Sequence, residues 1–331
     1  LCEWNLYTGA WSQTSVDRGS EYAFEQYYTN RVLPWPLWAL YAPPAELDDA
    51  SLRIFNNDFT SLEERAELIR TALPISMEYA TRDWITSRTT VVPFRNEVQV
   101  TTDLAGGVSG NGLWSKTIRF ADQVGGSMNI GLPSVFTEPW NPIGGSNWVF
   151  DQMIMRGVGE YGIYFDPNTG LGIPGRIERA ELTVREGYPM SSQSDWVTLT
   201  FEPEVVVPDD AWAGWDAENQ VFLTAADVYT ETQTALRKST VYYPEDLYTA
   251  TTWHDGSPIS VADFIMGIIT SFDLGDPASP YYDEALVPTR DQFLSSIKGV
   301  CIASVDPLVI ETWSDAASMD AENAVSTCSR R

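Results

Sequence analysis

The chain has 331 residues, 44% hydrophobic and 20% charged, a balance that can bury a sizeable core and excludes a disordered polymer. Its 46 Asp and Glu against 20 Lys and Arg leave a formal net charge of -26, a field that repels phosphate backbones and anionic bilayers, so nucleic acid is excluded as a partner. The length exceeds the size at which one core usually keeps growing, and two lobes are expected.

The opening, LCEWNLYTGAW, has no initiator Met and lies inside an apolar, aromatic run. It is expected to be a processed or truncated piece of something longer. A short helix is predicted over 21–28, within extended aromatic segments broken by Pro34, Pro36, Pro43 and Pro44. From Thr60 a hydroxyl stands three residues before an acid, Glu63, and Leu62, Ala66, Ile69 and Leu73 recur at helical spacing. Pro74 is expected to kink or divide that helix, because it lacks the N–H and crowds the preceding turn. Strand-like runs follow at 90–94 and 98–102. The glycines of 105–112 then permit a tight turn, without the spacing and lysine of a phosphate-cradling loop.

A second unit is expected to open near Asp122. After a loop over 137–148 come a helix over 149–158 and alternating runs at 176–184 and 196–201, the pattern of half-buried strands. Residues 222–240 read as a further helix. A better one spans 260–272, where Ser260 can cap the first turn, Asp263 is the following acid, and Phe264, Ile265, Ile268 and Ile269 form an apolar face. Residues 299–313 read as two strands around Asp306-Pro307. Helices alternating with strands predict an α/β or α+β architecture.

Catalytic signatures are missing from the sequence. His254 is the single histidine, so a histidine-rich metal site is excluded, and HExxH and G-x-S-x-G motifs are absent. Acid pairs such as Glu63-Glu64, Asp209-Asp210 and Asp283-Glu284 read as solvated surface, since adjacency does not place two carboxyls across a bond. Neither an enzyme nor a cofactor nor a metal is expected. Cys2, Cys301 and Cys328 are too few for a disulfide scaffold and too far apart for structural zinc. A Cys301–Cys328 bridge and a buried or externally bonded Cys2 are alternatives that spacing leaves open. Neither a basic leader nor an apolar stretch approaching the roughly 20 residues of a membrane span is found.

The most specific pattern is WHDGSP at 253–258, running into Ile259, Ser260, Val261, Ala262 and Asp263. Asp255 and Gly256 are suited to a tight turn, the carboxylate accepting nearby N–H groups and the glycine taking a positive φ. His254 reads as a local hydrogen-bonding group sooner than a ligand donor. The run resembles the W-x-DG-x-P-x-(S/T)-x-x-D-(V/F) signature of extracytoplasmic solute-binding proteins of the peptide/nickel class. Trp140-Asn141-Pro142 and the DP-x-T-G pattern at 166–170 are similar to that family's opening stretch. Asn5 to Ser12, NLYTGAWS, resembles its late D-x-x-x-x-GGW-x-x-D segment, which here precedes the early one.

That resemblance implies a periplasmic-binding-protein-like, two-lobe α/β architecture, incomplete in this chain, with atypical segment order or as a fragment of a larger member. Residues 1–120 would supply part of the second lobe and the return segment, and 121–331 a first-lobe-like region containing the turn. The implied function is capture of a small peptide or other organic solute between the lobes and delivery to an ABC-type permease. The carbohydrate-active alternative is a sugar-binding receptor or a glycoside hydrolase with an aromatic groove. Implied partners are the solute, the permease subunits and a second polypeptide piece of the same protein. The implied location is periplasmic or extracellular, with a lipoprotein anchor as one form.

The implied ligand-binding residues are Tyr7, Trp11, Thr14, Asp17, Trp140, Trp253 and His254. Thr14 stands where peptide-binding members carry an Asp for the peptide amine, and Asp17 is the acid nearby that can replace it. Trp11 and Tyr7 read equally as ligand walls or buried aromatics. Among the 13 tryptophans, Trp140, Trp148, Trp212 and Trp215 can form amphipathic ligand surfaces, but each alone reads more readily as core.

Overall fold

The computed structural model describes residues 15–19, 22–32, 38–87, 89, 91–135, 146, 148–316 and 318–325. Tyr7, Trp11, Thr14, Trp140, Cys2 and Cys328 lie outside the described residues.

Helices α1 (Ala23–Tyr28), α2 (Ala45–Phe55) and α3 (Leu62–Tyr79) form a layer with its own apolar cluster. Leu47, Ala50 and Ile54, spaced by three and four, put one face of α2 into it, opposite Leu68 and Ala72 of α3. The α3 cap is one residue later than the Thr60–Glu63 spacing predicts. Ser61 Oγ accepts the Glu64 N–H at 3.1 Å, and Glu64 accepts the Thr60 N–H at 2.8 Å. Pro74 does not divide α3, which continues to Tyr79. Proline removes one intrahelical bond, while Ala72 and Ser76, on either side of it, are buried and hold the helix to its neighbours.

Residues 91–94 are exposed and irregular, and strand pairing begins at β1 (Val98–Gln99). Short helices α4 (Gly107–Gly110) and α5 (Trp114–Thr117) separate it from its antiparallel partner β2 (Arg119–Phe120). Asp103 organises the glycine-rich turn: Oδ1 accepts from the Ala105 and Gly106 N–H groups, and Oδ2 from the Val16 N–H. The predicted α6 (Val149–Val158) forms where expected, and α5 docks on it through Trp114 Nε1 to Met153 O at 3.1 Å and Ser115 Oγ to Arg156 O at 3.2 Å. Hairpin strands β3 (Ile163–Phe165) and β4 (Gly172–Pro174) flank the DP-x-T-G turn. There Asp166 accepts the Asn168 and Thr169 N–H groups and Gly170 takes φ +72°.

The remaining strands are β5 (Arg179–Arg185), β6 (Val197–Glu202), β7 (Val205–Val206), β8 (Trp212–Asp216), β9 (Val221–Thr224), β10 (Thr234–Ala235), β11 (Arg237–Tyr242), β12 (Ile297–Val305) and β13 (Leu308–Ser314). Seven of them form one mixed sheet in the order β6-β5-β11-β13-β12-β8-β9, in which only β5 and β6 run parallel. Alternation puts Ala180, Leu182 and Val184 of β5, Val241 of β11, Ile310 of β13 and Val300 of β12 into the main core. The stretch 222–240 is therefore not a helix. It folds as β9, a single helical turn α7 (Ala225–Val228), β10 and the start of β11. Phe222 stacks on Trp212 of the neighbouring strand, with ring centroids 4.1 Å apart, and such cross-strand packing favours the extended backbone there.

After β11 come α8 (Leu247–Ala250) and α9 (Val261–Asp273). α9 lays Phe264, Ile268 and Phe272, one position in four, on the core face of the sheet. Phe272 meets Phe293 of α10 (Val287–Ser296) edge-on, with centroids 5.0 Å apart. A smaller cluster, including Val205, Val207, Ala213, Ala235 and Trp313, involves β7, β8, β10 and β13.

Residues 318–325, with α11 (Ala321–Ala324), tie distant parts of the fold together. Ser191 and Asp320 form a parallel bridge, and Arg18 reaches Asp320 through Nε at 2.5 Å and Nη2 at 2.8 Å. Glu322, 0% exposed, accepts from Gln193 N, Ser194 Oγ and Ser192 Oγ at 2.6, 2.8 and 3.1 Å. Among the described residues no helix is long and apolar enough to cross a membrane.

Candidate functional site

The WHDGSP segment folds as a small hairpin loop. Thr252 and Pro258 form an antiparallel bridge, Trp253 N donates to Ser257 O at 2.9 Å, and Gly256 N donates to Trp253 O at 2.8 Å. Gly256 closes the turn at φ +84°, a conformation that L side chains rarely adopt. Asp255 Oδ1 accepts from the Ser257 hydroxyl at 2.7 Å and its N–H at 2.9 Å. These two bonds, the hydroxyl first, hold the Asp255 carboxyl below the ordinary carboxylate range. Ile259 then plunges into the core at 3% exposure, and a reciprocal box between Ser260 and Asp263 starts α9, with Ser260 N donating to Asp263 Oδ2 at 2.7 Å.

The whole motif is exposed, and its turn is held by the backbone of Trp253, the Asp255 carboxylate and Gly256; the Trp253 side chain is 41% exposed, with His254 exposed beside it. An aromatic ring facing outward from a turn fixed by this many hydrogen bonds is presented at little entropic cost to whatever it touches.

Asp17, the third described member of the expected set, is held elsewhere. It is exposed, its Oδ1 accepts the Gly19 N–H at 2.9 Å, and its neighbours Val16 and Arg18 bond to Asp103 and Asp320. Trp253 and His254 share one turn, whereas Asp17 belongs to the contacts around Asp103 and residues 318–325. Of the other tryptophans, Trp212 and Trp215 are half-buried against the main core: Trp212 stacks on Phe222, and Trp215 Nε1 donates to the buried Asp273 at 2.9 Å. Trp148 is 37% exposed and donates to Ser134 Oγ at 3.2 Å.

A second arrangement has no counterpart in the sequence reading. A pocket of about 240 Å³ opens where α5 meets the β3–β4 hairpin, and its charged lining is Lys116, Glu160 and Arg176. Glu160 takes Lys116 Nζ on Oε1 at 3.1 Å and Arg176 Nη2 on Oε2 at 2.8 Å. Arg176, then Lys116, hold the Glu160 carboxyl below the ordinary carboxylate range. Burial works against the Lys116 ammonium, but Glu160 and Tyr164 outweigh it and keep its pKa raised. Tyr161 and Tyr164 wall the pocket edge to face, with centroids 5.6 Å apart, and Lys116 Nζ lies 5.5 Å from the Tyr164 ring centre. Gly175 is required there, because a Cβ would meet Tyr161 O at 2.3 Å and the Tyr164 ring at 2.6 Å. With Lys116 and Glu160 separated by 44 positions and Glu160 and Arg176 by 16, only the docking of α5 on α6 and the hairpin register assemble the group.

Among the described residues no group of three or more His, Cys, Asp or Glu side chains converges as a metal site. No protein-family model matches the chain, and no curated protein matches it.

Proposed function

We propose that the chain is the body, or part of the body, of an extracytoplasmic solute receptor that closes on a small peptide or other organic solute and passes it to an ABC-type permease. The observation that carries this reading is the WHDGSP turn. Its Asp, Gly, Ser and capping residues are occupied in holding shape, while Trp253 is 41% exposed in the loop that precedes the core-packed helix α9. Such a surface suits one wall of a cleft that closes on a ligand, where apolar area is lost from water only in the closed form.

Calorimetric titration with a pool of di- to pentapeptides, beside a pool of oligosaccharides, tests the reading. Saturable heat with peptides is expected, together with a rise in melting temperature as the ligand binds only the folded state. Trp253→Ala should weaken that binding at least about tenfold, the loss expected of one desolvated aromatic contact. Absence of both heat and thermal protection with either pool would overturn the receptor assignment. Release of reducing ends from the oligosaccharides would replace it with the carbohydrate-active one.

A further inference from the structure

The pocket between α5 and the β3–β4 hairpin carries a local charge opposite in sign to that of the chain as a whole. In a protein of net charge -26, two cations converge on a single carboxylate, leaving a local excess of one positive charge. Glu160 takes one N–H from each cation, fewer than an ammonium and a guanidinium together offer. Both cations are held in place from behind. Lys116 rides on α5, docked through Trp114 and Ser115, and Arg176 follows the hairpin ladder with its N–H on Tyr161 O at 3.0 Å. The remaining wall is apolar and aromatic: Leu113, Tyr161, Tyr164, Ile173 and Pro174.

We infer that this pocket binds a monocarboxylate with a short apolar or aromatic body. One excess positive charge matches one negative charge, whereas a phosphate dianion would overshoot it beside Glu160. The planar guanidinium of Arg176 suits a carboxylate, which it can meet with two parallel N–H bonds. The volume of about 240 Å³ gives room for a ring or a branched side chain. The tyrosine walls then take the body of the ligand out of water. This assignment stands apart from the receptor reading, since it uses none of the residues of the Trp253 turn.

The test is a titration of the whole chain with sodium benzoate and with benzamide, its uncharged isostere, followed by amide shifts in NMR spectra. Benzoate is expected to bind saturably and benzamide about tenfold more weakly or less, the difference made by one charge-assisted pair. Lys116→Met and Arg176→Gln should each weaken benzoate about tenfold. Glu160→Gln should strengthen it several-fold, because it removes the competing carboxylate; a purely structural ion pair would give the opposite sign or no change. Matching melting curves for the three variants separate site effects from misfolding, and should Lys116→Met not fold, Glu160→Gln and the amide comparison still decide. Equal binding of benzoate and benzamide, weaker or unchanged binding in Glu160→Gln, inorganic phosphate displacing benzoate at equal concentration, or no saturable shift of the pocket residues would each overturn the assignment.

Discussion

Replacing Glu322 by alanine is expected to be among the most damaging single polar changes in the chain. The side chain is fully buried, and one oxygen, Oε1, receives the Gln193 N–H and the hydroxyls of Ser194 and Ser192. After truncation the Ser192 hydroxyl has somewhere else to turn, since its Oγ already lies 3.2 Å from both Ser194 O and Val197 O. The Gln193 N–H does not rotate. A hydrogen bond to a charged group contributes about 1.5–3 kcal/mol, and because Gln193 is exposed and the bond only part-buried, water can take over its N–H, so the loss should be about 2–3 kcal/mol. At about 2 °C per kcal/mol for a chain of this size, the melting temperature falls by about 4–6 °C. Glu322→Gln keeps an acceptor for Gln193 and loses the charge, and about 1–2 kcal/mol is expected.

Urea unfolding of the three proteins at pH 7, followed by tryptophan fluorescence, measures these differences. A Glu322→Ala loss below about 1 kcal/mol, or a glutamine variant as damaged as the alanine one, would refute the argument. The pH dependence supplies a second check. Burial works to raise the Glu322 carboxyl, but its hydrogen bonds, including those from Ser194, Gln193 and Ser192, outweigh burial and hold it below the ordinary glutamate range. The folded pKa is depressed, so between the two pKa values the unfolded chain binds more protons. The contribution is then fully present above the unfolded value of about 4.3 and is lost as pH falls through the folded one. The wild-type advantage over Glu322→Gln should be constant from pH 7 to about 5 and shrink below about 4.3.

Gly256→Ala should cost about 1 kcal/mol by urea unfolding, from backbone strain alone, since a Cβ at φ +84° meets nothing within 4 Å; a loss above about 3 kcal/mol would mean the turn is packed more tightly than its geometry indicates. Asp263→Ala should lower stability by about 1 kcal/mol by opening the reciprocal cap on α9, and Asp263→Glu should restore part of it. Phe272→Ala, at 1% exposure between Phe222 and Phe293, should cost about 3–5 kcal/mol, read as a lowered urea midpoint with little change in slope. An unchanged midpoint would remove α9 from the core.

Local patterns were legible wherever the segment's own residues decide its conformation. The helix at 149–158, the capped helix after Ser260, the strand pair around Asp306-Pro307 and the turn at Asp255-Gly256 all form where capping, alternation and turn chemistry place them. The reading failed where a partner elsewhere in the chain overrides local preference. Residues 222–240 read as a helix, yet Phe222 stacks on Trp212 and Arg237–Tyr242 sits between β5 and β13. Pro74 signals a break, yet the buried residues on both sides of it keep α3 whole.

The candidate site divides the same way. WHDGSP is contiguous, and its hydrogen bonds run between residues within four positions of one another, so the sequence by itself determined that turn and the helix it launches. Lys116, Glu160 and Arg176, and likewise Glu322 with Ser192–Ser194, come from separate stretches. Their charges are visible in the sequence, but an ion pair is set by a few ångströms of separation, and that distance exists only once α5 has docked on α6, the hairpin has taken its register and residues 318–325 have crossed the fold. Short-range hydrogen bonding acts before the chain has a tertiary shape; convergence of charge needs that shape first.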